Sequence, residues 1–276
     1  MVIGFLGKGG SGKSTLSTLF AKYLHEQGKT VLAIDADHNM DFAYNLEFSE
    51  EIPYLGSAFS EIKEIVFGDK NAEYAKAFLR DAIIPVFSLS TPDPFTEKYS
   101  AILSPRLRLM MAGPQNDTVL YGESCSHSLA SALKIYLPLL ELKEDEYAVV
   151  DEKASVDAVT TGIPTGFDLS VIVVEPREHS IRVGRQIAET LPQYDAPFIL
   201  ALNKFRGNDD IDLVGSIFGK KPDIIFPLEN TNESAAKKSC DTLYKILLSK
   251  RSPQNVRFLR TKRKFERNQE FAKSRE

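Results

Sequence analysis

The chain has 276 residues, 43% of them hydrophobic and 26% charged, with a formal net charge of −4. This is the profile of an ordinary folded α/β domain; it excludes a disordered or fibrous chain and gives the body no electrostatic reason to bind nucleic acid. No apolar run approaches the roughly 20 residues of a membrane span, no basic segment precedes an apolar signal core, and the two cysteines, Cys125 and Cys240, show no disulfide spacing, so a cytoplasmic protein without a transmembrane segment is expected.

The first element is a buried strand, Val2–Leu6. Directly after it, Gly7-Lys8-Gly9-Gly10-Ser11-Gly12-Lys13-Ser14 satisfies G-x-x-x-x-G-K-[ST] at every fixed position. A helix follows over 13–27, with Leu16, Leu19, Phe20, Tyr23 and Leu24 on one face and Gly28 as its stop. Strand–glycine loop–helix is the context in which this motif has a mechanism. The glycines let backbone N–H groups turn inward as an anion nest, and the helix directs its positive end at the same anions. Lys13 reaches the β/γ-phosphates, the Ser14 hydroxyl coordinates Mg²⁺, and Thr15 donates to the α-phosphate. ATP or ADP with Mg²⁺ is the expected ligand.

Thr30–Ile34 reads as the second strand, and Asp35, Asp37 and Asp41 emerge at its carboxyl end, where open parallel sheets bind ligands. Residues 47–105 read as a mostly helical insertion (Ser57–Val66 and Ala72–Ile83), with Pro-bearing segments at Ile84–Pro94. Further strands are expected at Leu107–Met111, Ala148–Val150, Leu169–Val174, Phe198–Leu202 and Ile224–Phe226, with helices clearest at Ser128–Leu140, His179–Leu191 and Ser234–Leu248. Continuous apolar strands alternating with helices mean a mostly parallel central sheet covered on both faces, a three-layer architecture with right-handed crossovers. Asp151 follows one of these strands and Asn203-Lys204 another.

Residues 1–248 are read as one domain and 249–276 as a basic tail. Residues 250–276 hold ten Lys/Arg against three Asp/Glu (+7), leaving 24 against 35 in residues 1–249 (−11). Basic residues interrupt any apolar stripe there, so a solvated, frayed helix is expected.

The loop variant Lys8-Gly9-Gly10-Ser11-Gly12-Lys13-Ser14-Thr15, with its second lysine, resembles the deviant Walker A ATPases. That class of P-loop NTPases includes the septum-positioning MinD proteins, the plasmid-partition ParA proteins and the nitrogenase iron protein. The resemblance implies that Lys8 reaches across a nucleotide-sandwich homodimer to the partner's phosphates, so that ATP gates dimerisation. It implies that Asp37 orients the attacking water, that Asp41 and Asp151 (the Walker B position) hold Mg²⁺ through water, and that Asn203 recognises the base. Where relatives carry a glycine-bearing segment after the Walker B aspartate, this chain has Asp151-Glu152-Lys153-Ala154-Ser155.

Within that class Asp35-Ala36-Asp37, Gly122-Glu123-Ser124-Cys125 and Val173-Val174-Glu175-Pro176 followed by Ser180-Ile181 look like the CooC-type ATPases that mature carbon monoxide dehydrogenase, a resemblance covering residues 1 to about 230. That branch binds metal at the dimer interface through a Cys-x-Cys pair from each subunit; here the pair is Cys125-x-His127, whose thiolate and imidazole suit Zn²⁺ or Ni²⁺. The implied role is metal delivery to a client metalloenzyme. The alternatives are a ParA- or MinD-like ATPase bound to DNA or a polar partner, and a nucleotide-gated adaptor with negligible turnover.

Overall fold

The computed structural model describes residues 1–82, 86–115, 129–228, 233–253 and 255–274. Strand β1 (Val2–Gly7) is buried at every residue and feeds helix α1 (Lys13–Glu26), which returns to β2 (Thr30–Asp35). Short helix α2 (Asp41–Asn45) and helices α3 (Phe59–Phe67) and α4 (Tyr74–Asp81) follow, then a two-residue strand β3 (Phe87–Ser88), helix α5 (Pro94–Tyr99) and strands β4 (Ser100–Ser104) and β5 (Leu107–Met111). Next come α6 (Leu133–Leu139), β6 (Leu140–Glu141), β7 (Glu146–Asp151), α7 (Asp157–Thr160), β8 (Leu169–Val174) and α8 (Glu178–Thr190). The described chain closes with β9 (Phe198–Phe205), α9 (Asn208–Phe218), β10 (Ile224–Pro227), α10 (Glu233–Ser249) and α11 (Val256–Lys273).

The main sheet has eight strands in the order β10-β9-β8-β1-β7-β2-β5-β4. All neighbours pair parallel except β4, which runs antiparallel to β5 at the edge. Successive residues of a strand alternate between faces, so each strand fills two cores. Ile3, Phe5, Val31, Ala33, Val149 and Val171 pack with α1 (Leu16, Phe20) and α10 (Leu243, Leu247). Val2, Leu6, Leu32, Ile34, Val150 and Ile172 pack with α6 and α8 on the opposite face. Gly4 is needed on that second face, because a Cβ there would lie 2.0 Å from the Phe167 ring.

The chain moves from β1 towards β2 and β5 on one side and, after β7, jumps across β1 to β8 and β9 on the other. Strand order therefore reverses around β1, and a crevice opens at the carboxyl ends of the strands at such a point.

One expectation is refined and one corrected. The 47–105 insertion is mostly helical, as expected, but also contains β3 and the edge strand β4. Ile102 of β4 is 66% exposed, and a five-residue edge strand with one wet face leaves no buried apolar run to detect. The basic C-terminal segment is no solvated tail. Helix α11 packs against α4 and α6, which lie on the sheet's second face, with Arg257 and Arg260 only 3% and 4% exposed. Arg257 donates to Asp168 Oδ2 at 2.7 Å, to the Leu137 carbonyl at 3.2 Å and to the Leu140 carbonyl at 2.5 Å. Asp168 also accepts from the Val2 amide at 2.7 Å, while Arg260 donates to the Phe167 carbonyl at 2.5 Å. Phe265 meets the Tyr74 ring edge-on at 4.9 Å. Sequence reading counts such arginines as solvated, because it cannot foresee buried carbonyls waiting for donors. No helix among the described residues is long and apolar enough to cross a membrane.

Candidate functional site

The Gly7–Thr15 loop leaves β1 and enters α1 at the crevice. Gly7 passes so close to β8 that a Cβ would meet the Val173 carbonyl at 2.3 Å. Gly12 has φ +94, and a Cβ there would lie 2.1 Å from Asn203 Nδ2, so both the backbone conformation and the space demand glycine. The Ser11 amide donates back to the Lys8 carbonyl at 3.2 Å, closing the loop on itself.

Helix α1 starts without a side-chain cap and without an acidic residue in its first turn. Its leading N–H groups and positive dipole end are left for an anion. They face a cleft of about 510 Å³ whose lining includes Gly10, Lys13, Thr15, Asp37, Asp41 and Lys204. Lys13 is 6% exposed. Lys8 is partly exposed and turns its Nζ to the Gly9 carbonyl at 3.4 Å.

The aspartates gather beside this loop. Asp35 and Asp151 are register partners on β2 and β7. Asp35, fully buried, accepts from the Ala43 amide at 2.9 Å and the Asp37 amide at 3.2 Å, fixing the start of α2 and with it Asp41. Burial, and then the neighbouring Asp151, push the Asp35 carboxyl up to about 8. Asp151 is 1% exposed and neither carboxylate oxygen completes a hydrogen bond. Burial raises it to about 7, opposed by the Ser14 hydroxyl and the Lys13 ammonium. Glu152 is equally buried, leaves Oε1 unpartnered and is raised to about 8 by burial, with the Lys153 amide opposing. A fully buried pair of orphaned carboxylate oxygens beside a lysine and a serine is a poor structural device, and it fits a hard cation that prefers oxygen ligands. Ser14, Asp41 and Asp151 carry oxygen donors of the kind Mg²⁺ takes, directly or, for the aspartates, through water.

Asn203, 3% exposed, donates from Nδ2 to the Ser11 carbonyl at 2.9 Å while its Oδ1 stays buried without a partner. The amide thus pins the loop from behind, with one acceptor left buried. Sequence reasoning missed Glu152, Glu175 and the loop-bracing side of Lys204. Each stood in a segment the sequence had singled out (Asp151-Glu152-Lys153-Ala154-Ser155, Val173-Val174-Glu175-Pro176 and Asn203-Lys204), but nothing local gave its contacts. Cys125 and His127 lie outside the described residues, and among the described residues no cluster of three His/Cys/Asp/Glu forms a metal site.

Comparisons with known proteins agree with this geometry. The sequence profile of the CobQ/CobB/MinD/ParA nucleotide binding domain (CbiA) matches residues 3–216. An ATP-binding protein of Methanocaldococcus jannaschii is 28% identical over 193 residues, 68% of this chain and 72% of that protein. The carbon monoxide dehydrogenase accessory protein CooC of Rhodospirillum rubrum is 26% identical over 187 residues, 68% of this chain and 67% of its own length. The septum site-determining protein MinD of Pyrococcus horikoshii, solved with Mg-ADP, superposes with a TM-score of 0.57 at 14% identity, covering 95% of this chain and 93% of MinD. At that identity the likeness concerns the fold.

Proposed function

The chain belongs to the CobQ/CobB/MinD/ParA nucleotide-binding family, and from that premise we propose that it is a Mg²⁺-dependent ATPase working as an ATP-gated dimeric switch, with a CooC-like part in delivering metal to a client enzyme. The observation that carries the nucleotide reading is the uncapped, glycine-built start of α1 facing a cleft of about 510 Å³ that also holds Lys13. Backbone amides and Lys13 would take the phosphates, and Ser14, Asp41 and Asp151 would hold Mg²⁺. An ion held by those residues would supply positive charge against the charge developing on the phosphoryl oxygens. Asp37, at the cleft wall, orients the attacking water, so catalysis rests on positioning and electrostatics without a covalent intermediate. Asn203 reads the adenine edge with Oδ1 and its second N–H.

The in-trans role of Lys8 agrees with its partial exposure and with the absence, among the described residues, of a carboxylate partner. ATP closes the dimer only in so far as it binds the closed state more tightly than the open one. Phosphate release from Mg-ATP, with light scattering to follow dimer formation on a non-hydrolysable analogue, tests the switch. Lys8→Ala should abolish the ATP-induced dimer, and an undiminished dimer contradicts the role. The CooC-like part draws support from the R. rubrum match and predicts a Zn²⁺ or Ni²⁺ shared through Cys125 and His127 of two copies. Equal metal content in wild type and Cys125→Ala removes that part. Two of the tail's arginines are taken up inside the fold, which weakens the case for a ParA-like DNA contact. ATP-dependent, salt-sensitive DNA binding would restore it. A kcat indistinguishable from background with every candidate partner would leave the adaptor reading.

A further inference from the structure

We propose that Lys204, anchored by Glu175, is a positioning residue that holds the phosphate loop in its anion-accepting conformation and does so as a brace, not as a phosphate ligand. The proposal rests on the nucleotide reading above for its function, though not for its geometry. Lys204 Nζ donates to the Gly10 carbonyl at 2.7 Å and to Glu175 Oε2 at 2.9 Å. Glu175 stands at the end of β8 with its side chain 9% exposed, and its own amide donates to Ser180 Oγ at 3.1 Å at the start of α8. Arg177 approaches the same oxygen only at 3.9 Å and is 79% exposed.

Two consecutive residues of β9 thus hold two consecutive loop carbonyls, Lys204 that of Gly10 and Asn203 that of Ser11. In a trans peptide the C=O and N–H point in opposite directions. Holding the Gly10 carbonyl therefore turns the Ser11 N–H onto the Lys8 carbonyl, where the 3.2 Å bond is seen. Holding the Ser11 carbonyl turns the Gly12 N–H to the side away from Asn203. The backbone of Lys204 itself has φ +59, a left-handed conformation that a side chain rarely adopts and that persists only where its surroundings hold it. Such a cost at the mouth of a binding cleft points to a positional task. The Glu175 carboxylate also matches the Lys204 charge, so the pair adds little net attraction for a triphosphate, unlike Lys13.

That difference gives the test. A double-mutant cycle on the full chain compares wild type, Lys204→Met, Glu175→Gln and the double variant by calorimetry with Mg-ATP and by steady-state kinetics. A brace predicts that each single change weakens ATP at least about tenfold, that the double is no worse than either, and that KM rises while kcat moves less than about threefold, as removal of uniform binding requires. Lys204→Arg, which retains two donors in reach, should recover part of the loss. A phosphate ligand predicts the opposite for Glu175→Gln, which would free the ammonium and tighten ATP; that result, or an unchanged Kd in Lys204→Met, overturns the proposal. Amide exchange at Ser11 and Gly12 without nucleotide keeps the two readings apart. Faster exchange in Lys204→Met and Glu175→Gln supports the brace even in a protein that binds no ATP, and exchange equal to wild type refutes it. Should Lys204→Met fail to fold, Glu175→Gln and Lys204→Arg carry the same comparison.

Discussion

Replacing Asp151 with asparagine should make the nucleotide-free protein more stable while removing its Mg²⁺-dependent ATP binding. The carboxyl is 1% exposed, leaves both oxygens unbonded, and is held by burial at about 7 against an ordinary 3.8. For a carboxyl raised on folding, the native state keeps a proton that the unfolded chain has released. Its contribution to stability is full below pH 3.8 and is lost as pH rises through about 7. At about 1.4 kcal/mol per tenfold change in proton affinity, ionising Asp151 in the folded protein at pH 8 costs at most about 4 kcal/mol. Asparagine has nearly the same shape and no charge, so the variant is relieved of that whole cost at pH 8 but of only about 1.6 kcal/mol at pH 5, where the unfolded chain has ionised and the native state has not. At roughly 2–4 °C per kcal/mol for a chain of about this size, the gain in Tm reaches about 10 °C. Asp35 and Glu152, both raised to about 8, carry the same sign, so wild type without Mg²⁺ should also melt lower at pH 8 than at pH 5. Circular-dichroism melts of both proteins at the two pH values decide the matter. A variant less stable than wild type at pH 8, or a gain that does not depend on pH, refutes the reasoning.

Arg257→Met should lower stability by about 3–5 kcal/mol, because it leaves the Asp168 carboxylate buried beside a single amide and takes the donor from two carbonyls. Arg263→Met, at a side chain 53% exposed, should change it by less than about 0.5 kcal/mol in the same urea titration. Equal midpoints for the two would mean that α11 is not packed. Gly12→Ala adds a Cβ at 2.1 Å from Asn203 Nδ2 in a left-handed backbone, so it should weaken Mg-ATP by at least about tenfold in a calorimetric titration, and binding like wild type would contradict the tight loop.

The strands that build the crevice were legible because they are buried on both faces. Leu107–Met111 and Leu169–Val174 coincide with the observed strands, and β7 and β9 extend beyond the expected Ala148–Val150 and Phe198–Leu202 only through polar or aromatic ends. The phosphate loop was legible because its glycines answer to backbone geometry that the motif's spacing encodes. Edge strand β4 was hidden because half of it is wet, and α11 because its arginines bond to carbonyls contributed by residues some 90 to 120 positions away. The loop's support was hidden for the same reason. Nothing local to Lys204 or Glu175 announces that the two meet across adjacent strand ends at Gly10, nor that Asn203 reaches 192 positions back to Ser11. Motif spacing reports what touches the ligand and is silent on side chains that hold the motif from behind.

Isothermal titration of the folded, Mg²⁺-replete protein with ATP tests the account at its root. Saturable heat at one nucleotide per chain, lost in Lys13→Ala, is the predicted result. No heat with either adenine or guanine triphosphates would contradict it.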